Sequence, residues 1–484
     1  MTLFKIFSFS IGPVGAALTS LFSIPIIAWL FDPADVGRIS ILQITISFSL
    51  LLFTLSLDQA YVREYYFSAN KKELFATSSI PGLLIVFLVG ICFFLYDSTF
   101  LSHWLFEISS AYISLVVLLS VLANYISRYL TLVLRMEQKG FAYSISQLLP
   151  KLFVLIIVAC LTLVDTDLNF QLLVSIYAIS YVVSVAYLIP LVWDTTISLK
   201  SASFNWKELR RLLGYSAPLV VGGIAFWGLT ALDRVFLNVY TSYQDLAVYS
   251  VAISISSVSI IMQSIFSTIW APTVYKRISE GGNESIVIYA TRYMTLAVIF
   301  LFFLVTLISP LLQYVLPAHY YSVVWLVPAC MCYPLLYTLS ETSVVGANIQ
   351  KKTKHLMLLS VFCLLINIIL NMYLIPAHGV SGAVISTSIS FWFYFVMRTE
   401  VSCRYWRSFQ RADVYFFTFC SVSLTFVDPL TFGNYIYLTR ALWLLLVLLA
   451  LLRFRIEVAK SLFFIKKKLH SIREKLYGIS KGMQ

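Results

Sequence analysis

Charge is what this sequence has least of: Asp, Glu, Lys and Arg make up 12% of its 484 residues, about half the share usual in a water-soluble domain. That scarcity excludes a soluble enzyme. Histidine is rare as well, and none of His103, His319, His355, His378 and His470 has a second ligand at helical metal spacing. There is no Walker loop to bind ATP. The seven cysteines (Cys92, Cys160, Cys330, Cys332, Cys363, Cys403, Cys420) lie in or at the ends of apolar stretches without metal-ligand spacing, and read as buried thiols. Long polar loops are missing too. The longest connection on the side with few basic residues runs from Pro310 to Ser322, too short for the extracytoplasmic loop of multispan glycosyltransferases, polymerases and ligases.

What fills the chain is apolar: 60% of residues, with a mean hydropathy of +0.88. A bilayer-crossing helix needs about 20 mainly apolar residues. Apolar windows between polar breaks predict an all-α polytopic membrane protein with spans near 8–31, 39–60, 74–96, 109–134, 141–164 and 171–193. A second set follows near 215–240, 246–272, 287–309, 323–346, 355–375 and 382–401, and a weaker pair near 413–431 and 434–452 closes the chain. The first run, from Ser8 to Phe31, lacks the short apolar region and cleavage site of a signal peptide and reads as a retained span. With the N-terminus in the cytoplasm, 29 of the 34 basic residues fall on the inner side and only Arg38 on the outer. The positive-inside rule therefore places both termini in the cytoplasm.

The two sets of six look like copies. Asp35–Ser40 aligns with Asp245–Ser250 at an offset of 210, Val62 with Val274 at 212, and Gln138-Lys139 with Gln350-Lys351 at 212. An even number of spans per copy gives both the same orientation, so the axis relating them runs along the membrane normal. The expected organisation is a six-helix lobe over 1–193, a linker over 194–214, a second lobe over 215–401, a helix pair over 402–452 and a tail over 453–484. The linker mixes Trp206, Leu209, Leu212 and Leu213 with Lys207, Arg210 and Arg211, as in an amphipathic segment on the inner surface. In the tail, Leu462, Ile465, Leu469, Ile472, Leu476 and Ile479 recur at helical spacing among lysines and arginines, which fits a helix lying on anionic lipid.

Charges inside spans are the candidate functional groups, because each costs at least about 2.5–3.5 kcal/mol at mid-bilayer unless it faces water or a partner. Arg128, Lys151 and Arg234 are deep and cationic, and could line one anion-attracting cavity or pair with Asp233 or Glu341. Glu341, beside Ser340 and Thr342, is the candidate proton- or cation-accepting group, with Asp233 as the alternative. Asp58 and Arg63 read as a structural cap and an inner-surface anchor, and Arg440 as a residue reaching the outer surface. Tyr125, Gln147, Trp227, Gln263 and Tyr337 are polar or aromatic candidates for sugar contacts.

Several segments resemble a known family. They are Leu57 to Tyr66, Tyr215 to Val220, Leu232 to Leu237, Ala247 to Ser250, Trp270 to Pro272, Lys351 to Thr353, and above all Asn367 to Asn371 through Ile375-Pro376 and Gly379 to Ala383. In this order and spacing they resemble the polysaccharide biosynthesis, or O-antigen flippase (Wzx-type), branch of the multidrug/oligosaccharidyl-lipid/polysaccharide (MOP) exporter superfamily. The resemblance implies a pair of six-helix bundles arranged as a V. It further implies ion-coupled flipping of an undecaprenyl-pyrophosphate-linked oligosaccharide across a bacterial inner membrane, with no bound cofactor beyond a proton or sodium gradient. A glycan polymerase and a chain-length regulator would be its partners. The family's motifs fall on Asp58 with Arg63 and on Asp233 with Arg234. Span 8–31 departs from related lipid flippases in having no arginine, which shifts headgroup recognition to Arg128, Lys151 and Arg234. The rival readings are a cation-coupled small-molecule antiporter of the same superfamily, and a non-transport scaffold or polymerase of glycan assembly.

Overall fold

The computed structural model describes residues 3–163, 168–193, 204–280, 285–350, 352–455, 457 and 459, and the described residues contain helices and no strand. The first half holds α1 (Leu3–Leu30), α2 (Pro33–Thr54), α3 (Leu57–Glu64), α4 (Lys71–Tyr96), α5 (Phe100–Phe106), α6 (Ala111–Met136), α7 (Gly140–Leu161) and α8 (Phe170–Leu191). The second holds α9 (Trp206–Tyr240), α10 (Tyr243–Ser256), α11 (Val258–Ser279), α12 (Ser285–Ile308), α13 (Val323–Cys330), α14 (Cys332–Ile349) and α15 (Thr353–Tyr405). Then come α16 (Ala412–Thr425), α17 (Val427–Thr431) and α18 (Ile436–Arg453). Apolar runs become helices because hydrocarbon offers the backbone no hydrogen-bond partner outside the segment. Polar caps set where they start: Asp32 accepts from the Ala34 N–H, Asn169 from Leu172, Asn205 from Lys207 and Glu208, and Ser242 forms a capping box with Asp245.

Twelve described helical stretches are long and apolar enough to cross a membrane, and Val14–Leu30 is a shorter apolar one. The differences from the fourteen expected segments have local causes. Span 39–60 splits into α2 and α3 at Leu55 and Ser56, both at positive φ, and span 246–272 splits into α10 and α11 at Ser257. Spans 355–375 and 382–401 form one continuous stretch, α15, interrupted at Gly379 with φ 54° and ψ −128°. A straight 53-residue helix would be about 80 Å long, more than twice the hydrocarbon thickness. Instead the chain doubles back, bringing Gly382 so close to Leu374 that a Cβ there would collide with the Leu374 carbonyl oxygen. The expected linker is already helical from Trp206 and runs unbroken into α9; its residues 194–203, and the tail beyond 459, lie outside the described residues. The thiols are free, but Cys92 and Cys160 are exposed rather than buried. Both sit on membrane helices, where an exposed face meets lipid.

Helix α1 packs on α7, and α6 packs on α8 and α2; in the second half α14 and α9 pack on α15, α11 and α12 on α14, and α16 and α18 on α12. Two large apolar cores result. The first fills the first half and extends into the second through Leu246 to Ala252, Val323 to Ala329, and Ile375 with Ala383 and Val384, all near the end of the bundle poor in basic residues. The second, around Phe302, Leu335, Phe391, Phe395 and Trp443, belongs to the second half and the closing helices.

The halves meet closely at that same end. Gly37 on α2 lies so near α10 that a Cβ would collide with the Tyr243 carbonyl oxygen. Three residues on, the Ser250 hydroxyl donates to Ser40 at 2.7 Å. Their separation of 210 equals the offset between the two aligned segments, as expected where a two-fold axis passes between equivalent residues. Arg38, the expected outer exception, bonds Asp35 at 2.8 Å and the Phe106 carbonyl at 3.2 Å, and stacks over Tyr243.

Candidate functional site

Two cavities flank α10 where it breaks from α11, and Ile253 forms a wall of both. The larger, about 280 Å³, is bounded by α1, α2, α7, α8 and the end of α10. Its lining is rich in hydroxyls, from Ser20, Ser23, Tyr177, Ser180, Tyr181, Ser254 and Ser257, with the Gln43 amide. Among the described residues its single charge is Lys151, accessible within the void, and no carboxylate lines it. Lys151 has no ion pair or hydrogen bond among the described residues. Eleven residues into α7, it stands about 16 Å from the helix start, near the middle of a hydrocarbon layer roughly 30 Å thick. Pro150 precedes it inside the helix. Gln147, one turn earlier on the same face, is exposed.

The smaller cavity, about 150 Å³, is lined by Arg234, Tyr249, Ser256, Ile260, Cys330, Tyr333 and Thr387. The Arg234 Nε is buried without a hydrogen-bond partner. Behind the cavity wall lies Asp233, 1% exposed. Its carboxylate accepts from the Tyr249 hydroxyl at 2.6 Å, the Asn371 amide at 2.9 Å, the Asn367 amide at 3.5 Å and the Thr387 hydroxyl. Every donor is neutral, and Asp233 has no ion pair among the described residues. Adjacent residues on a helix diverge by about 100°, so Arg234 faces the void while Asp233 points at α15. The Asn371 carbonyl oxygen is buried without a partner, leaving an oxygen-rich cluster of one carboxylate, two amides and two hydroxyls.

Arg128 lies elsewhere. It grips Asp58 through Nε at 3.0 Å and Nη2 at 2.6 Å, about 12 Å from the end of α6, and lines neither cavity. The expected grouping of three cations around one void is therefore two cavities with one cation each, and a separate ion pair. Arg63 lies over the Tyr215 ring at 4.1 Å and 3.7 Å from Glu64. Glu341 is held by Arg398 at 3.0 Å, and Arg398 in turn bonds Ser340 at 2.7 Å between the rings of Tyr337 and Tyr394. Arg440 Nε and one Asp428 oxygen are both buried without partners.

Among the sugar candidates, Tyr125 is 2% exposed and donates to the Ser79 carbonyl at 2.7 Å, which takes it out of reach of a ligand. Trp227 donates to Ser47 at 3.0 Å, bridging α9 to α2. Gln263 lies beside the Tyr333 hydroxyl, and its own carbonyl oxygen is buried and unbonded. Asn367, Asn371 and Tyr249 lie in the segments that carry the family resemblance, but neither they nor Thr387 are read as site residues from the sequence. A signal existed for the first two: amides four residues apart in an otherwise apolar span share one helix face.

No family model and no curated protein matches the sequence. Solved structures do match, and what they share with this chain is the fold, a multi-pass helical membrane architecture. A lipid II flippase, MurJ, in an inward closed conformation aligns with a TM-score of 0.65 at 15% identity, covering 93% of this chain and 99% of that one. An inward-facing multidrug-resistance MATE transporter of the MOP superfamily aligns at 0.55 and 16% identity, covering 83% and 96%. The MATE multidrug transporter DinF-BH, in a ligand complex, aligns at 0.55 and 16%, covering 86% and 97%. These neighbours are transporters and flippases, and at such identities they establish the fold.

Proposed function

We propose that this protein flips an undecaprenyl-pyrophosphate-linked oligosaccharide, an O-antigen or related surface-glycan repeat unit, across a bacterial inner membrane, driven by a cation gradient. The observation that carries the reading is Lys151: a cation at mid-depth in a hydroxyl-lined cavity, with no ion-pair partner and no carboxylate in the wall among the described residues. A cationic drug would be repelled there, whereas a diphosphate is attracted and sugar hydroxyls find partners. The polyprenyl tail stays in lipid, so only the head and glycan need an aqueous path through about 30 Å of hydrocarbon.

In this mechanism Lys151 and Arg234 hold the diphosphate from the two sides of Ile253. Asp233 supplies the coupling. A sodium ion or proton on its carboxylate changes the charge next to Arg234, so cation occupancy and that arginine's hold on phosphate are linked. Asn367, Asn371, Thr387 and Tyr249 are suited to this exchange, since hydroxyl oxygens and reoriented amides can offer lone pairs to a hard cation. Two six-helix lobes, 1–193 and 215–401, would move against each other around the site. The 194–214 segment would connect them, and the basic tail from 453 would rest on anionic lipid. Glu341, already paired with Arg398, is left a structural role.

The test is a surface-glycan assay in cells lacking the endogenous flippase. Arg234→Ala abolishes glycan display and Arg234→Lys retains part of it, at equal protein levels by immunoblot. Normal display with both variants overturns the assignment of Arg234 to the headgroup.

A further inference from the structure

Polar atoms buried without partners are few in folded proteins, and each needs an explanation. Here three of them form a line. Gln263 Oε1, Ser267 Oγ and Trp270 Nε1 are all unbonded, and positions i, i+4 and i+7 share one face of α11. The same face continues upward to Ile260, which lines the Arg234 cavity, and Gln263 sits beside Tyr333, which lines it too. Below Trp270 the character changes. Trp270, Val274, Val287 and Val345 form a small apolar cluster separate from both large cores, near the basic end of the bundle.

We infer that this face of α11, packed against α14, is the path along which the coupling cation exchanges between the Asp233 cluster and the cytoplasm, and that the Trp270–Val274–Val287–Val345 cluster is its gate. The inference rests on the proposed coupling role of Asp233. Successive polar positions rise about 6 Å and 4.5 Å along the helix, steps that one or two bridging waters, with bonds of about 2.8 Å each, span. A short apolar constriction closes such a path by expelling water. Because the cluster belongs to neither core, it can part without unpacking either. The path also keeps the cation away from Lys151, so ion and substrate approach from different sides of α10.

The experiment uses full-length protein in inverted membrane vesicles, with the seven native cysteines replaced by serine. Single substitutions Gln263→Cys, Ser267→Cys and, as a dry control in the second core, Val298→Cys are each exposed to a small water-soluble methanethiosulfonate. Only a wetted thiol ionises to the reactive thiolate, so Gln263→Cys and Ser267→Cys should react at least about tenfold faster than Val298→Cys. Adding Val274→Ser to wet the gate should speed both further. If both stay as inert as Val298→Cys, with and without Val274→Ser, there is no path. Failure of the coupling reading shows up separately. Cation-stimulated flipping in reconstituted vesicles, measured with a sodium and with a proton gradient, should vanish in Asp233→Asn. If it survives there while the thiols react, the path is hydrated but does not serve Asp233, and the inference falls for that reason.

Discussion

Lys151 and Arg128 are both cations inside membrane helices, yet their surroundings give them opposite roles. Arg128 faces a buried carboxylate at 2.6 Å, and the pair is a structural clasp between α6 and α3. Removing the guanidinium leaves Asp58 buried without its charged donor, a loss of about 1–3 kcal/mol. Arg128→Ala should therefore lower the thermal midpoint in detergent, and Asp58→Asn in the same chain should recover part of the drop; an unchanged midpoint would show the clasp contributes nothing. Asp233 makes the same point with neutral partners. Asn371→Leu removes its 2.9 Å amide donor and should weaken the cation dependence of transport while sparing expression, as read from flipping rates against cation concentration. Depth and sign of charge were legible in the sequence; pairing was not. Whether an arginine meets an aspartate 70 positions away depends on how α6 is rotated, which periodicity in so apolar a chain barely constrains. The same limit explains why Tyr125 reads as a ligand contact in sequence but is spent on the Ser79 carbonyl.

Among the helices, the breaks carry more information than the spans. Apolar windows locate the membrane segments because hydropathy alone decides burial in lipid, and the expected windows overlap the observed helices throughout. The break at Ser257 and the left-handed residues at Leu55 and Ser56 leave no such trace, since neither site carries proline or glycine. The hairpin inside α15 is different: Gly379 and Gly382 mark it. Gly379 sits at φ 54° and ψ −128°, outside the left-handed helical region, with open space around it, so Gly379→Ala costs only backbone strain, about 1–3 kcal/mol. Gly382→Ala drives a methyl into the Leu374 carbonyl and must force the two arms apart. Folded yield by size-exclusion chromatography should drop slightly for Gly379→Ala and sharply for Gly382→Ala; equal yields would mean the arms are not packed as described.

At the scale of the whole molecule, the halves are sealed at the end poor in basic residues by α2 against α10, and the Ser40–Ser250 contact marks the seam. The proposed flipping by alternating access requires that seam to open. Ser40→Cys with Ser250→Cys, whose hydroxyls lie 2.7 Å apart, should crosslink on oxidation and stop transport, with reduction restoring it; full activity of the crosslinked protein would rule out opening there. The two serines are themselves 210 positions apart, the offset of the aligned segments, so this part of the architecture left a trace in the chain itself. The cavities were not, because their walls come from α1, α2, α7, α8 and α10 together. The decisive measurement is the initial rate at which purified protein in proteoliposomes translocates a fluorescent polyprenyl-diphosphate oligosaccharide. Losing one charge-assisted contact of about 1.5–3 kcal/mol should slow Lys151→Gln roughly tenfold or more, while Lys151→Arg keeps most of the activity. Wild-type rates for Lys151→Gln would mean that the cationic cavity does not hold the diphosphate.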